Sequence, residues 1–173
     1  MTTEIRLAVE ADLPAINAIY NHFVAISTCT YQMQPTTEEE RRAWFAEHAA
    51  AVLPVTVATV EGAVRGWGAL NPFHRREGYR FTLEDSIYVH PDYPRRGIGR
   101  ALLSDLLERA AALPCHSVIA IISADQSPSI ALHAAAGFVE VGRLREAGHK
   151  LGGWLDVLYM QRMLPRSALV PPA

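Results

Sequence analysis

The residues whose types and spacing could do chemistry are concentrated in the middle of the chain. Glu84 and Asp85 are adjacent carboxylates, and a run rich in arginine and glycine follows them, Arg95-Arg96-Gly97-Ile98-Gly99-Arg100. Closely spaced glycines let backbone amides approach a ligand, and the start of a helix adds unpaired N–H groups and partial positive charge. With arginine side chains beside them, these groups predict a site for a phosphate or pyrophosphate.

The arginine-glycine run fits neither of two common phosphate motifs. No Gly-Lys-Ser/Thr follows it, as a Walker loop requires. Leucine (Leu102 or Leu103) stands where the dinucleotide fingerprint has its third glycine. A Gly-x-Gly pair between a strand and a helix is also often only a turn, so the rest of the chain has to decide.

The two adjacent carboxylates lie in an apolar segment that predicts a strand over Phe81–Val89. Neighbouring residues of a strand point to opposite faces, so at least one of Glu84 and Asp85 is expected in a partly buried place. Burial raises the pKa of a carboxyl group, which suits a general base. The alternative is an edge strand on which both acids are solvated.

Length and composition favour a single domain that is neither basic nor membrane-bound. The chain has 173 residues, half of them hydrophobic, and a net charge of −2, which argues against general nucleic-acid binding. We expect a domain over residues 1–164 and a disordered tail over 165–173. No signal peptide or membrane span is visible, so a soluble cytoplasmic protein is expected. Cys29 and Cys115 lack metal spacing, and no metal site is predicted.

Hydrophobic periodicity predicts an α+β domain with one mixed sheet. A capping box at Thr37 starts a helix whose buried stripe includes Trp44, Phe45, His48 and Ala49. In order, the chain predicts a strand at 5–9, a helix after Asp12, the helix after Thr37, strands at 55–60, 64–70 and 81–89, a helix from Gly97, a strand at 117–122, a helix from Ser127 and strands at 138–144 and 154–163. A turn-rich connection over 145–153 separates the last two strands.

This order of elements, combined with the arginine-glycine run, resembles the GNAT superfamily of acetyl-CoA-dependent N-acetyltransferases. The segments Glu84–Pro91, Leu132–Phe138 and His149–Val157 look like the phosphinothricin or methionine sulfoximine (sulfone) acetyltransferases. The resemblance extends from about Tyr20 to Met163, nearly the whole chain. It implies the GNAT fold, in which one mixed, mostly antiparallel sheet is flanked by helices.

The resemblance also implies roles for single residues. Glu84 matches the general base, and His133 is either the general acid that returns a proton to the departing thiolate or a residue that positions the site. Ile87, Tyr88 and Val89 would pair with the pantetheine arm like an added strand. Acetyl-CoA would be held by these three and by Arg95, Arg96, Gly97, Ile98, Gly99, Arg100, Gln126 and Ser129.

Two positions depart from the family pattern. Pro94 stands where the pyrophosphate loop usually begins with Gln or Arg, and Gln126 stands where Asn is usual. Pro94 costs one side-chain contact, but neither change removes the backbone cradle, so we expect CoA to be held mainly through the amides of residues 95–100.

A loop rich in arginine and aromatic residues precedes the strand that carries Glu84. A solvated loop is one interpretation; the other is a substrate loop, because Arg binds carboxylates bidentately. By position it matches the substrate loop of the resembled branch, which implies a small substrate with a free α-amine and a carboxylate. The substrate-binding residues would be Arg75, Glu77, Gly78, Tyr79 and Arg80.

Two other functions use the same features. The same fold acetylates protein or peptide N-termini, which requires an open groove, and a non-catalytic acyl-CoA-binding module would lack turnover. A homodimer is expected from the resemblance, with the C-terminal strands or the Trp154 region near the contact. No nucleic-acid or membrane partner is expected.

Overall fold

A twisted sheet forms the centre of the computed structural model, which describes residues 2–165. The strands are β1 Thr3–Leu7, β2 Val55–Val60, β3 Ala63–Pro72, β4 Thr82–Val89, β5 Ser117–Ser123, β6 Val139–Lys150 and β7 Gly153–Met163. The helices are α1 Leu13–Ile26, α2 Glu38–Ala50, α3 Ile98–Ala111 and α4 Ser127–Ala135. Within the described residues no helix is long and apolar enough to cross a membrane. Apart from Pro165, the predicted tail lies outside the described residues.

The strand order across the sheet is β1-β2-β3-β4-β5-β7-β6. Among the described strands only β4 and β5 pair in parallel, and they do so over the short stretch from Thr82↔Ser117 to Glu84↔Ile119. The predicted α+β class with one mixed, mostly antiparallel sheet is therefore confirmed. β4 is central in the sheet, which rules out the edge-strand alternative for Glu84 and Asp85.

The two faces of the sheet have separate apolar cores. On one face, α1 and α2 cover β2 and β3, with Ile16, Val57 and Trp67 buried among them. On the other face, α3 and α4 pack on β4, β5 and β7 through a second core that includes Leu103 and Leu106. Alternation along β4 therefore sends its even-numbered side chains toward α1 and α2 and its odd-numbered ones toward α3 and α4.

The helix α2 begins where the sequence predicts. Thr37 Oγ1 accepts a hydrogen bond from the Glu40 amide (3.2 Å), and a Glu40 carboxylate oxygen accepts from the Thr37 amide (2.7 Å). This reciprocal capping box satisfies N–H groups that the first turn leaves without helical partners. The predicted stripe is only partly right, because Arg41 and His48 are buried on α2 while Ala49 is exposed.

The predicted connection over 145–153 is wrong, because β6 continues through most of it to Lys150. Two irregularities in the β6–β7 register, between Glu140 and Gly142 and between Leu144 and Gly148, take up extra residues. The chain reverses at Leu151 and Gly152, whose φ angles are 52° and 80°. Paired positive φ angles match the twist of a two-residue hairpin, so these two residues are enough to connect β6 and β7.

Candidate active site

The site begins where β4 and β5 separate. Beyond the last paired position, Glu84↔Ile119, β4 continues to Val89 and β5 to Ser123 without a ladder between them. A cleft of about 1050 Å³ opens at this gap. Backbone groups that face the gap have no partner on the opposite strand, so an extended ligand can pair with them as an added strand. Ile87, Tyr88 and Val89 lie along this edge and line the cleft.

The turn before α3 lines the cleft with backbone amides. Arg95 has a φ of 55°, which is strained for a residue with a side chain, and Gly97 has a φ of 79° as the N-cap of α3. A Cβ on Gly97 would meet nothing within 4 Å, so the space above this turn is open to a ligand. Left-handed residues before a helix form a concave set of N–H groups that bind anions.

Every predicted cofactor-binding residue lies in this cleft. Those of the turn and the first turn of α3 that line it are Arg95, Arg96, Gly97, Ile98, Gly99 and Arg100, and Pro94 lies beside them. The guanidinium of Arg96 stacks over Tyr93, 4.7 Å from the ring centroid. The arginines add positive charge around the amides, as a pyrophosphate site requires.

Gln126 and Ser129 also line the cleft, but their polar groups have protein partners. Gln126 Nε2 donates to Thr28 Oγ1 (2.7 Å), and the Thr28 hydroxyl donates to the Asp125 carboxylate (2.7 Å). The amide of Gln126 therefore fixes the loop after α1 as a wall of the cleft. Ser129 uses its carbonyl oxygen to accept from His133 Nδ1 at 2.7 Å.

Glu84 lies on the α1/α2 face of β4 and lines the cleft. Asn71, opposite it on β3, donates to the Glu84 carbonyl (3.3 Å) and to Ser86 Oγ (3.2 Å). Burial, and secondarily the charge of Asp85, raises the pKa of Glu84 to about 7. A carboxylate with such a pKa holds or releases a proton near neutral pH, as a general base must.

Asp85 points to the opposite face and forms a buried ion pair with His133. Oδ2 of Asp85 lies 3.0 Å from Nε2 of His133, and both side chains are almost fully buried. Burial by itself would lower the pKa of His133, but the hydrogen bond and charge of Asp85 outweigh it and raise the pKa. Because Nδ1 faces a carbonyl and Nε2 faces a carboxylate, both N–H groups of the protonated ring have acceptors.

His133 and Glu84 therefore line one cleft from opposite faces of β4. A general acid at His133 would have to release one of its two N–H groups from Asp85 or Ser129. The contacts favour the other predicted role, in which His133 positions the site by holding Asp85. Oδ1 of Asp85 is buried without a hydrogen-bond partner among the described residues.

The predicted substrate loop does not line the cleft in this structure. Arg75, Glu77, Gly78, Tyr79 and Arg80 are exposed, and the Arg80 guanidinium stacks over Phe81 at 4.4 Å. The loop leaves the sheet beside the Asn71↔Glu84 and Pro72↔Leu83 pairs, so it starts next to Glu84. Its role in binding substrate stays a prediction about the occupied site.

The sequence reasoning missed a buried arginine in the cleft. Arg41 on α2 is 4% exposed and lines the cleft with Tyr20, Trp44 and Trp67. The available signal was its spacing, because Arg41, Trp44 and His48 follow the i, i+3, i+7 pattern of one helix face. Within residues 2–165 no group of His, Cys, Asp and Glu side chains could hold a metal ion.

Comparisons with known proteins place this geometry in a family. The acetyltransferase (GNAT) family matches residues 16–138. The L-methionine sulfoximine/L-methionine sulfone acetyltransferase of Pseudomonas aeruginosa is 38% identical over 172 residues, covering 99% of this chain and 100% of the relative.

Two solved structures extend the comparison. A phosphinothricin acetyltransferase from Sinorhizobium meliloti, crystallised with acetyl-CoA, matches with a TM-score of 0.94 and 41% identity over 100% of this chain and 94% of that one. A ribosomal-protein-alanine N-acetyltransferase from Brucella melitensis matches with a TM-score of 0.91 and 42% identity over 93% of this chain and 99% of that one. The fold predicted from the sequence is therefore confirmed.

Proposed function

Because the chain belongs to the GNAT acetyltransferase family and is an acetyl-CoA-dependent N-acetyltransferase, we propose that it acetylates the α-amine of a small amino-acid-like substrate. Glu84 is the general base of this proposal. The observation that carries it is the position of Glu84, which has a pKa of about 7 and lies where β4 and β5 separate. A pantetheine arm paired along β4 would end at that point, next to an amine substrate bound on the α1/α2 face.

The cleft fits acetyl-CoA on two independent grounds. The left-handed turn at Arg95 and Gly97 directs amides toward open space, which suits a pyrophosphate, and the inner edge of Ile87–Val89 offers backbone groups to a pantetheine arm. When bound, acetyl-CoA supplies an activated acetyl thioester. A backbone N–H of this edge would polarise the thioester carbonyl.

Glu84 supplies the proton acceptor that the reaction needs. A primary amine resembles lysine, whose pKa is about 10.4, so at neutral pH the substrate is mostly ammonium and cannot attack. Glu84 removes that proton directly or through a water molecule, which leaves a nucleophilic amine beside the thioester. We assign His133 the positioning role, because both of its N–H groups have partners in the fold.

The substrate class is proposed from the relatives' names and from the substrate loop. Phosphinothricin, methionine sulfoximine and methionine sulfone are the named substrates of the related enzymes. Arg75 or Arg80, in the loop that starts beside Glu84, would bind the α-carboxylate. A carboxylate lies close to its own α-amine, so this placement brings the amine to Glu84.

A screen of amino-acid analogues tests this proposal. Purified enzyme, acetyl-CoA and each of the three named compounds should give free thiol at a rate that saturates with the analogue. An alanine-ended peptide in the same assay tests the second candidate, N-terminal acetylation, which the likeness to the Brucella melitensis structure favours. No thiol above background with all three analogues would contradict the proposal, and turnover with the peptide alone would establish the second candidate.

Replacing Gly97 with alanine tests the amide turn. Alanine is strained at a φ of 79°, and the turn would shift its N–H groups away from the ligand. We expect KM for acetyl-CoA to rise about tenfold, the loss of roughly one charge-assisted hydrogen bond, with little change in kcat.

The matched control for this change is Gly62→Ala in the β2–β3 hairpin. Gly62 has a φ of 77° and the same open space around it, but it does not line the cleft. Both variants should lose similar thermal stability, and only Gly97→Ala should raise KM for acetyl-CoA. Equal KM values for the two variants would contradict the assignment of this turn to the pyrophosphate.

We also propose a homodimer and a cytoplasmic location. Several apolar side chains of β6 and β7 are exposed, including Val139 and Trp154 at 63% and 67%. Exposed apolar side chains along these two strands would be buried by a contact between two copies.

A further inference from the structure

Arg41 is a buried cation without an acidic partner. It is 4% exposed, and no Asp or Glu among the described residues forms an ion pair with it. Its hydrogen bond within the described residues runs from Nε to Asn17 Oδ1 at 3.2 Å. Burying a charge without a counter-ion is costly. The terminal nitrogens of this guanidinium therefore remain donors in need of an acceptor.

Aromatic rings hold the guanidinium of Arg41 in place. Its Cζ lies 4.9 Å from the ring centroid of Tyr20, 4.7 Å from that of Trp44 and 5.5 Å from that of Trp67. Cation–π contacts fix the plane of the group while leaving its N–H edge available. All four side chains line the cleft that contains Glu84.

A second donor in the same wall also lacks an acceptor. Nε1 of Trp67 is buried without a hydrogen-bond partner among the described residues, and Trp67 itself is 2% exposed. Buried polar groups in native proteins are nearly always hydrogen-bonded. Unpaired donors on Arg41 and Trp67 together indicate that an oxygen-bearing ligand completes this part of the cleft.

The sheet register separates Arg41 from Glu84 along one face. Trp67, under Arg41, pairs with Tyr88, whereas Asn71 pairs with Glu84. Tyr88 is four residues from Glu84, so the two ends of this wall are about 13 Å apart along the strand. An α-carboxylate is bonded to the same carbon as the amine, so it stays near Glu84. A group at the far end of the substrate side chain reaches toward Arg41.

We infer that Arg41, with Trp67 Nε1, binds the oxygens of the tetrahedral phosphorus or sulfur group at the end of the substrate side chain. This inference rests on the proposed function. The guanidinium fork donates to two such oxygens, and the flanking rings exclude water from the contact. The substrate would then lie along the sheet face, with its amine at Glu84 and its side-chain oxygens at Arg41.

The test compares two substrates that differ only in the oxygens on sulfur. Wild-type enzyme should have a kcat/KM for methionine sulfone about 10- to 100-fold higher than for methionine, as expected for charge-assisted hydrogen bonds. In Arg41→Met this ratio should fall to about one, and Arg41→Lys should retain part of it. Both substrates are assayed with the same preparation of each variant. A reduced folded fraction therefore lowers both kcat/KM values equally and cancels in their ratio.

Arg42→Gln is the matched control, because Arg42 is the next residue of α2, is exposed and pairs only weakly with Glu38 at 3.6 Å. It should keep the wild-type ratio. An unchanged ratio in Arg41→Met would overturn the inference. If the ratio is unchanged because kcat/KM falls equally for both substrates, Arg41 is assigned to the α-carboxylate or to stability. If wild-type enzyme acetylates neither amino acid, the proposed function fails instead.

Discussion

Replacing Glu84 with glutamine should lower kcat/KM at pH 7 by about 10²- to 10⁴-fold, the usual contribution of a general base. Glutamine keeps the size of the side chain but cannot accept the ammonium proton. For the wild-type enzyme, kcat/KM should rise with pH through a limb near 7, where Glu84 loses its proton. The variant should lack that limb.

Three measurements separate loss of the base from loss of structure. Binding of CoA to Glu84→Gln should be unchanged, and Glu61→Gln, an exposed substitution in the β2–β3 hairpin, should keep wild-type activity. In the folded state Glu84 keeps its proton up to about pH 7, whereas the ordinary pKa of the group is 4.5. The proton bound by the folded state stabilises it, and this contribution is lost as the pH rises from 4.5 to 7. Above pH 7 the variant should therefore be at least as stable as wild type. Unchanged kcat/KM would refute the assignment.

Replacing Asp85 with asparagine should lower the free energy of unfolding by about 3–5 kcal/mol, since it leaves the buried His133 imidazolium without its counter-charge. Urea unfolding at pH 6 measures the change. Asp105→Asn is the control, because Asp105 forms a similarly short pair with Arg109 (2.8 Å) that is partly exposed to solvent. That substitution should cost about 0.3–0.5 kcal/mol.

The pH dependence of this second effect has a definite sign. Asp85 raises the pKa of His133 above its ordinary value of 6.5. The stability that the pair contributes is fully present below pH 6.5 and is lost as pH rises through the folded-state pKa. The difference between wild type and Asp85→Asn should therefore shrink in alkaline solution. The double variant Asp85→Asn/His133→Gln, which buries no charge, should recover part of the loss at pH 6; a difference that is independent of pH would contradict the ion-pair account.

The features that could be predicted from the sequence are those determined by residues close together in the chain. The Thr37 capping box, the alternation that separates Glu84 from Asp85 and the helix start at Gly97 each depend on residues a few positions apart. The second half of β6, beyond Leu144, escaped prediction because its polar residues are typical of turns. At the edge of a sheet, polar side chains are solvated and irregular pairing is tolerated, so strand structure there depends on β7.

The parts of the site that the sequence did not reveal depend on contacts between distant segments. The pair of Asp85 and His133 joins residues 48 positions apart, and nothing near either residue indicates it. Arg41 reads as a solvated helix residue until Trp67, on a strand, and Tyr20, on another helix, enclose it. The charge of an arginine predicts an exposed side chain, and Arg41 is buried because aromatic rings from distant segments pack around it.

The wall of the cleft after α1 has a consequence for the order of folding. Thr28 bonds to Asp125 and Gln126, and the Thr30 carbonyl accepts from Lys150 Nζ at 2.7 Å, a contact that spans 120 positions. Closing such long loops carries a large entropic cost and occurs late. During synthesis we expect the amide turn at Gly97 to form once α3 folds, and the loop after α1 to stay open until β6 has been synthesised. The proposed CoA-binding half of the cleft would then form before the half proposed to bind the substrate.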